Sequence, residues 1–189
     1  MKTSIWSASV LALVVALGAA PAFAEQNAYL KLKGQKTGDV KGSVTQKGLE
    51  GTILVTAVSH GVVSPRDAAS GLPTGKRQHK PIVLTIPLDK AAPLLENLLV
   101  NNENIQTFEL KFYRQQIAAA GAGRDTNYYT IKLTNANIAG IDLRMLDNRK
   151  PELAPFTMYL EVAFTYQKIE WIWTEGGITA DDEWQAPTT

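Results

Sequence analysis

The sequence contains no cysteine and only two histidines among its 189 residues. Without thiols it cannot form a disulfide, a thiolate nucleophile, a cysteine-ligated zinc site or an iron–sulfur cluster. Its stability must therefore come from burial, which typically covers about 70% of the unfolded surface of a chain this long. His60 and His79 lie on separate segments, so a metal site would need a nearby carboxylate, for which Asp67 and Asp89 are candidates. We expect polar loop anchors instead, and no metal or cofactor.

An excess of charge of either sign is also missing. Nineteen Lys and Arg face eighteen Asp and Glu, with 45% hydrophobic and 20% charged residues, which is typical of an ordinary globular domain. Such a balance provides no long-range attraction to nucleic acid or to an anionic membrane. The one basic cluster, Arg66 with Lys76, Arg77 and Lys80, lacks the interleaved aromatic residues of a nucleic-acid surface. We expect it to be solvated or to pair with a neighbouring subunit's acidic patch, such as residues 181–183.

Catalytic signatures are missing as well. The sequence has no Gly-x-Ser-x-Gly, phosphate-binding loop or dinucleotide fingerprint. Ser59 and His60 are adjacent, so in a strand they would point to opposite faces and could not pair. Trp171 and Trp173 could stack on a sugar, but they share the phase of Ile169 and are expected in the core. We therefore expect no catalytic site and no enzyme, and we expect the acidic residues 181–183 to form a solvated tail.

The first 24 residues have the pattern of a secretory signal. A weakly basic start precedes an apolar stretch over residues 5–17, and Ala22-Phe23-Ala24 places small residues where a signal peptidase reads them. This pattern predicts cleavage after Ala24, a mature chain beginning at Glu25, and no stable membrane insertion afterwards. An uncleaved anchor is the alternative, because residues 5–24 carry no charge and approach spanning length.

The rest of the chain is expected to form a single domain over residues 25–189. Period-2 alternation or β-branched residues predict strands at residues 28–33, 52–58, 81–88, 108–112, 127–133 and 136–143. Residues 127–133 and 136–143 are predicted to pair, and residues 117–125 to form a mobile hairpin connection. One helix is predicted at residues 93–101, with Pro93 first, Ala92 as N-cap and Asp89 or water serving the exposed donors.

The last long apolar run changes phase. Leu160, Val162, Phe164 and Tyr166 occupy even positions, whereas Ile169 begins an odd series. A strand cannot change faces without an extra residue, so a bulge or bend is predicted near residues 167–168. Seven or eight strands with one helix indicate a mainly antiparallel barrel or sandwich.

Residues 60–81 carry three Gly, three Pro and few large apolar groups. A segment that long without periodicity is usually a functional loop or arm, and its backbone polar groups have no obvious intrachain ladder. We interpret residues 62–80 as an arm that would cover a neighbouring subunit if the chain assembles into rings. The candidate interface residues are Val62, Ser64, Arg66, Lys76, Arg77 and His79. A flexible surface loop is the alternative.

Three segments resemble the haemolysin-coregulated (Hcp) family of type VI secretion. They are Lys76-Arg77-Gln78-His79-Lys80-Pro81 after the arm, residues 127–136 (NYYTIKLTNA), and residues 164–173 (FTYQKIEWIW) with 177–184 (GITADDEW). The resemblance runs in family order from about Tyr29 to Trp184.

This resemblance implies a small β-barrel of two antiparallel sheets with a helix on one side, and a structural role without catalysis. It also implies homohexameric rings that stack into the type VI inner tube, carry effectors in the lumen, contact spike and sheath proteins, and leave the cell. A signal peptide departs from that pattern, because it would route the chain to the periplasm. The alternative is therefore an exported periplasmic or extracellular binding module that does not enter the tube.

Overall fold

The computed structural model describes residues 27–117 and 123–184, which contain thirteen strands and one helix. The proposed cleavage site at Ala24 and Glu25 lies outside these residues, as do the centre of the connection at 117–125 and the end at 185–189. Within the described ranges, no helix has the length and apolar character needed to span a bilayer.

A seven-stranded antiparallel sheet forms one layer. Its strands are β1 (Ala28–Gly34), β2 (Gly38–Val40), β3 (Ile53–Val55), β8 (Ile105–Ile117), β9 (Gly123–Thr134), β12 (Lys168–Trp173) and β13 (Ile178–Glu183). They follow the order β13-β12-β9-β8-β1-β2, and β3 pairs with the other half of β1. The sheet therefore mixes the first strands of the domain with the last.

A four-stranded antiparallel sheet forms the second layer, and the helix lies beside it. Its strands are β4 (Ala57–Ser59), β7 (Ile82–Pro87), β10 (Asn137–Arg144) and β11 (Tyr159–Thr165), in the order β10-β11-β7-β4. The helix α1 (Ala92–Val100) packs against β10 and buries Ala92, Leu95 and Leu98. The expected class, mainly β with two antiparallel sheets and one helix at the side, is confirmed.

The core lies between the two sheets and collects alternate residues from each. β11 buries Leu160, Val162 and Phe164, and Phe164 meets Phe108 of β8 edge-to-face with ring centroids 5.0 Å apart. Each such aromatic or aliphatic side chain contributes about 1.5–3 kcal/mol by leaving water. Burial therefore replaces the missing disulfides.

The predicted bend near residues 167–168 is present at Gln167, but the chain there crosses from one sheet to the other and makes no bulge within one strand. β11 ends in the four-stranded sheet and β12 begins in the seven-stranded sheet. The predicted pairing of residues 127–133 with 136–143 is wrong for the same reason, because β9 and β10 belong to different sheets.

The two crossings lie side by side. Asn135 adopts a left-handed conformation with φ 49°, which turns the chain from one sheet to the other. Its Nδ2 donates to Gln167 Oε1 at 2.6 Å, and Gln167 N–H donates to the Thr134 carbonyl at 3.1 Å. Two apolar runs joined by a short polar segment also fit a hairpin within one sheet. Alternation in the sequence therefore could not distinguish a hairpin from a crossing between sheets.

Three smaller expectations also change. The single strand expected at residues 52–58 is divided into β3 and β4, because the chain passes between sheets at Thr56. The helix begins one residue early, so Ala91 rather than Ala92 is the N-cap, and Asp89 Oδ1 accepts from Ala91 N–H at 2.8 Å as expected. Trp173 is 37% exposed and is not a core residue.

Candidate functional site

The arm at residues 62–80 is a partly ordered hairpin. β5 (Val62–Val63) pairs with β6 (Gln78–His79), and Arg66 bridges to Pro73 farther out. The expectation that its backbone lacks an intrachain ladder is therefore wrong for its root and middle.

The outer turn of the arm is built around Asp67. Its Oδ1 accepts from Ala69 N–H, Ser70 N–H and the Ser70 hydroxyl at 2.7–3.1 Å, so the pKa of the Asp67 carboxyl lies below its ordinary value. Arg66 Nη1 donates to the Gly71 carbonyl at 3.0 Å. Asp67 therefore serves the turn and not a metal site with the histidines.

The arm presents apolar side chains to solvent. Leu72 is 65% exposed at the outer turn, and Val62 and Val63 are also exposed at the root. Of the other predicted interface residues, Ser64, Arg66 and Lys76 are exposed, whereas Arg77 is half-buried and His79 is buried. The predicted set thus divides into an exposed group and a group that faces this chain's own body.

The inward-facing group belongs to a network that fixes the arm to the rest of the chain. We call it the arm anchor and define it as His60, Arg77, His79, Tyr166 and Asp182. Arg77 Nε and Nη2 both donate to the Asp182 carboxylate, and Nη2 also donates to the Glu183 carbonyl at 2.8 Å. His79 Nε2 lies 2.7 Å from Asp182 Oδ2. The arm is thereby held to β13, more than 100 positions later in the chain.

Tyr166 joins the two histidines. Its hydroxyl lies 2.6 Å from His60 Nε2 and 3.0 Å from His79 Nδ1. In neutral imidazoles one ring nitrogen donates and the other accepts. Because His79 Nε2 faces a carboxylate, it carries the hydrogen; His79 Nδ1 then accepts from the Tyr166 hydroxyl, whose oxygen accepts from His60 Nε2–H. One consistent arrangement of hydrogens therefore satisfies the whole chain of contacts.

Burial and charge shift the titrations in the anchor. Burial, assisted by the neighbouring His79, lowers the pKa of His60, so this ring is neutral at pH 7. Burial and the nearby Asp182 carboxylate raise the pKa of Tyr166 to about 12. Hydrogen bonds from Arg77, and secondarily His79, lower the pKa of Asp182 against a smaller effect of burial. At neutral pH the anchor thus combines the Arg77–Asp182 ion pair with a neutral His60 and a neutral Tyr166.

The expectation of polar loop anchors is met by both histidines, but the acidic partner was misjudged. Residues 181–183 are strand β13 and not a solvated tail, and Asp182 pairs with Arg77 of the same chain. Asp182 lies opposite Ile169 in the β12–β13 register, which places its side chain on the core-facing side of the sheet. Strand alternation in 181–183 could have indicated that the middle acid faces away from its neighbours.

A metal site at His60 or His79 would need a nearby carboxylate, for which Asp67 and Asp89 were the candidates. In the part of the chain that the structure describes, no three His, Asp or Glu side chains converge as ligands would. The other candidate ligand, Asp89, accepts from Ser43 N–H at 2.9 Å and Ala91 N–H at 2.8 Å, so its carboxylate holds the backbone before the helix.

A second carboxylate network holds the β1–β2 turn, and no pattern in the sequence indicated it. Glu103, just after α1, is only 6% exposed; it accepts from Lys36 N–H, and from Thr37 N–H at 2.7 Å and the Thr37 hydroxyl at 2.8 Å. Gly34 makes room for it, because a Cβ there would lie 2.5 Å from Glu103 Oε1 and 2.6 Å from Leu98 Cδ2. These backbone hydrogen bonds lower the pKa of Glu103.

Comparison with known proteins assigns this architecture. The family model described as "Type VI secretion system effector, Hcp" matches residues 29–173. A curated relative, the "Major exported protein" of Pseudomonas aeruginosa, is 37% identical over 169 residues, which cover 85% of this chain and 96% of the relative.

Solved structures agree with the sequence relatives. A crystal structure titled as an Hcp protein has a TM-score of 0.75 at 30% identity and covers 86% of this chain and 99% of the other. Hcp1 of Escherichia coli EAEC 042, a mutant form, has 0.71 at 30% identity, covering 83% and 97%. The secreted protein Hcp3 of Pseudomonas aeruginosa has 0.66 at 30% identity, covering 85% and 99%. The matches extend across both sheets and the arm, and the chain belongs to the Hcp family of type VI secretion proteins.

Proposed function

We propose that this chain assembles into homohexameric rings that serve as inner-tube subunits of a type VI secretion system, leave the cell and carry effectors in the ring lumen. The role is structural rather than catalytic. The observation that carries the proposal is family membership over nearly the full length of each relative, together with an arm that is fixed at its root and exposes apolar residues at its tip.

The arm has the physical properties of an assembly element. Leu72, Val62 and Val63 expose apolar side chains that a partner could remove from water. The arm anchor holds the root in place before any partner arrives, so docking loses less conformational freedom than docking of a flexible loop would. A closed ring requires two different patches on each subunit, and an arm with a separate receiving surface fulfils that requirement.

Light scattering after size exclusion tests the ring, using the chain that begins at Glu25. We expect a mass of six subunits. Deleting residues 64–74 should give a monomer, because Gly75, Lys76 and Arg77 can still close a three-residue turn between β5 and β6. A hexamer of unchanged stability in the deletion variant would contradict the role of Ser64, Arg66 and the outer turn of the arm in the interface. A wild-type chain that stays monomeric at high concentration would contradict the ring itself.

The N-terminal segment favours a second candidate, an exported binding module outside the tube. We propose cleavage after Ala24, which leaves one domain over residues 25–189, on the basis of the apolar stretch and the small residues at 22 and 24. Intact-mass measurement of exported protein tests the cleavage, and a mass that includes residues 1–24 would contradict it.

Secretion dependence separates the two roles. A tube subunit should stop being released when the contractile machine is disabled. Continued export through the general pathway alone would favour the periplasmic or extracellular module. Two relatives are named "Major exported protein" and "Secreted protein Hcp3", which supports release from the cell under either role.

A further inference from the structure

A cavity of about 480 Å³ lies where the two crossings between the sheets run side by side. Its wall is formed by the residue before β8, by both crossings, and by the residue after β13. Small-molecule sites typically have volumes of about 300–1,000 Å³. The cavity shares only Tyr166 with the arm anchor, so it is a separate feature of the fold.

The lining offers hydrogen bonds without charge. Most of its side chains are amides, namely those of Asn104, Asn135, Asn137 and Gln167. Among the described residues, no Lys, Arg, His, Asp or Glu lines the cavity. A phosphate or carboxylate ligand would be matched by a guanidinium or an ammonium group, and a metal ion by carboxylates. The lining therefore favours a neutral ligand that is rich in hydroxyl groups.

The amides are free to bind such a ligand. Asn135 Nδ2 donates to Gln167 Oε1 at 2.6 Å, which leaves Asn135 Oδ1 as an acceptor and Gln167 Nε2 as a donor. The side chains of Asn104 and Asn137 make no hydrogen bond to another described residue. Ligand hydroxyls can therefore use donors and acceptors here without breaking a contact of the fold.

Trp184 supplies an apolar wall. Its backbone N–H donates to the Gln167 carbonyl at 2.9 Å, and its ring lies 5.8 Å from that of His79 with the planes at 34°. These contacts position the indole, yet the residue stays 42% exposed at the cavity. The C–H groups of a sugar ring pack on an aromatic face while its hydroxyls reach polar groups at the sides. An indole beside several amides matches that pattern.

The tryptophans considered for sugar stacking in the sequence are less accessible. The Arg114 guanidinium lies 5.8 Å from the centre of the Trp173 ring, and the Tyr128 ring meets it at 5.7 Å. Trp171 is half-buried, with the His60 ring 6.4 Å away. The accessible indole with uncharged polar neighbours is therefore the one at Trp184.

We propose that this cavity binds a neutral sugar ring, which stacks on Trp184 and exchanges hydrogen bonds with Asn104, Asn137 and the Asn135–Gln167 pair. This inference goes beyond the proposed function, because it adds a saccharide site. One chain forms the whole cavity, so binding does not require the ring.

Saturation-transfer NMR and calorimetry test the site on the chain that begins at Glu25, in whatever assembly it forms. The probes are cellotriose, maltotriose and tri-N-acetylchitotriose, with trigalacturonate as a charged comparison. We expect at least one neutral trisaccharide to bind, with the strongest transfer to its ring C–H protons. Trigalacturonate should bind more weakly, because its carboxylates would find no cation in the lining.

Two variants remove the two kinds of contact separately. Trp184→Ala should weaken binding about tenfold or more. The double variant Asn104→Ala with Asn137→Ala should weaken it similarly while keeping the wild-type melting temperature, because these amides support no contact of the fold.

Matched controls lie away from the cavity. Trp173→Ala removes an indole at the opposite end of β12, and Gln115→Ala with Asn148→Ala removes two exposed amides. Asp182→Asn loosens the arm anchor but leaves the cavity lining intact. All three controls should bind the sugar like wild type.

The outcomes decide the proposal in either direction. It is wrong if wild type binds none of the neutral trisaccharides, or binds trigalacturonate more tightly than all of them. It is also wrong if the double amide variant binds like wild type, or if the controls lose as much affinity as the cavity variants. Thermal unfolding verifies that each variant is folded, and if Trp184→Ala is not, the double amide variant alone decides.

Discussion

A carboxylate holds each end of the seven-stranded sheet, but the groups that donate hydrogen bonds to it differ between the two ends. At the β1–β2 end, Glu103 accepts mainly from backbone N–H groups of residues 36 and 37. At the β13 end, Asp182 accepts from the side chains of Arg77 and His79, and Tyr166 extends the contacts to His60. One anchor holds main chain, and the other holds side chains.

This difference has a physical consequence. A backbone N–H cannot titrate, so the Glu103 anchor keeps its strength until the carboxylate itself takes a proton. Imidazoles change charge near neutral pH, so the arm anchor responds to conditions in which the first anchor does not. We therefore expect the arm anchor to weaken through His60 as the pH falls below about 6.5, a range in which the Glu103 contacts do not change.

The largest loss of stability is expected when the space beside Glu103 is filled. Gly34→Ala would place a methyl group against Glu103 Oε1 and Leu98 Cδ2, both held in place, and should lower the free energy of unfolding by about 1–3 kcal/mol. Gly140→Ala is the matched control, because no atom lies within 4 Å of its added Cβ. Urea unfolding of both variants measures the difference, and equal losses would show that the Glu103 pocket is not tight.

The next effect tests the arm anchor. Asp182→Asn removes the negative charge that Arg77 and His79 share and should reduce the free energy of unfolding by about 1–2 kcal/mol. It should also hasten proteolytic cleavage of residues 62–80. Asp181→Asn is the control, because its ion pair with Lys168 is exposed and contributes little to stability. Unchanged cleavage in Asp182→Asn would mean that the arm is held by its strand pairing alone.

A smaller effect is expected from the hydroxyl that links the histidines. Tyr166→Phe keeps the buried ring but leaves His60 Nε2 and His79 Nδ1 without their shared partner, which should remove about 0.5–1.5 kcal/mol. Tyr159→Phe on the neighbouring strand serves as the control. Thermal unfolding at pH 7 compares the two, and equal midpoints would argue against the bridging role of Tyr166.

The smallest effect is a pH dependence that the two anchors do not share. Unfolded His60 takes its proton near the ordinary pKa of 6.5, whereas in the folded chain burial, and then His79, lower that pKa. Between the two values the unfolded chain binds more protons, so the free energy of unfolding falls as pH falls below about 6.5. The wild-type melting temperature should therefore fall between about pH 7 and pH 5.5 by more than that of His60→Gln.

Glu103→Gln is the control for that measurement. The pKa of Glu103 is lowered by its backbone hydrogen bonds, so its contribution is present above the ordinary value of 4.5 and is lost only at lower pH. This variant should be less stable than wild type but should keep the wild-type slope between about pH 7 and pH 5.5. A slope that is the same in His60→Gln would show that His60 does not confer the dependence.

The fold class and most strand positions could be predicted from the sequence, because a strand with one buried face alternates apolar and polar residues. It did not support the pairing of β9 with its neighbours, since Asn135 makes a corner that looks like a hairpin turn in the sequence. The phase change at Tyr166 was visible, but a bulge and a crossing between sheets leave the same pattern. Strand identity is local, whereas sheet membership is decided by partners far along the chain.

The arm of the candidate site could be predicted from the sequence, whereas the contacts that hold it to the rest of the chain could not. A Gly- and Pro-rich segment indicated the arm and its exposed residues such as Arg66 and Lys76. Its anchor was missed because Arg77 and Asp182 are separated by 105 positions, and no spacing rule connects them. Trp173 was placed in the core from its phase, but Arg114 and Tyr128 cover it only partly at the end of the sheet.

The strand order also determines when the chain can fold. β1 and β12 belong to one sheet although they lie near opposite ends of the domain's sequence, and β13 completes that sheet at the very end of the described chain. During synthesis, β9 therefore has no partner on its β12 side until the last part of the chain emerges. Contacts between such distant segments form slowly. Folding of the seven-stranded sheet thus waits until residues 168–183 have left the ribosome, and a chain that lacks them leaves the β9 edge open to aggregation.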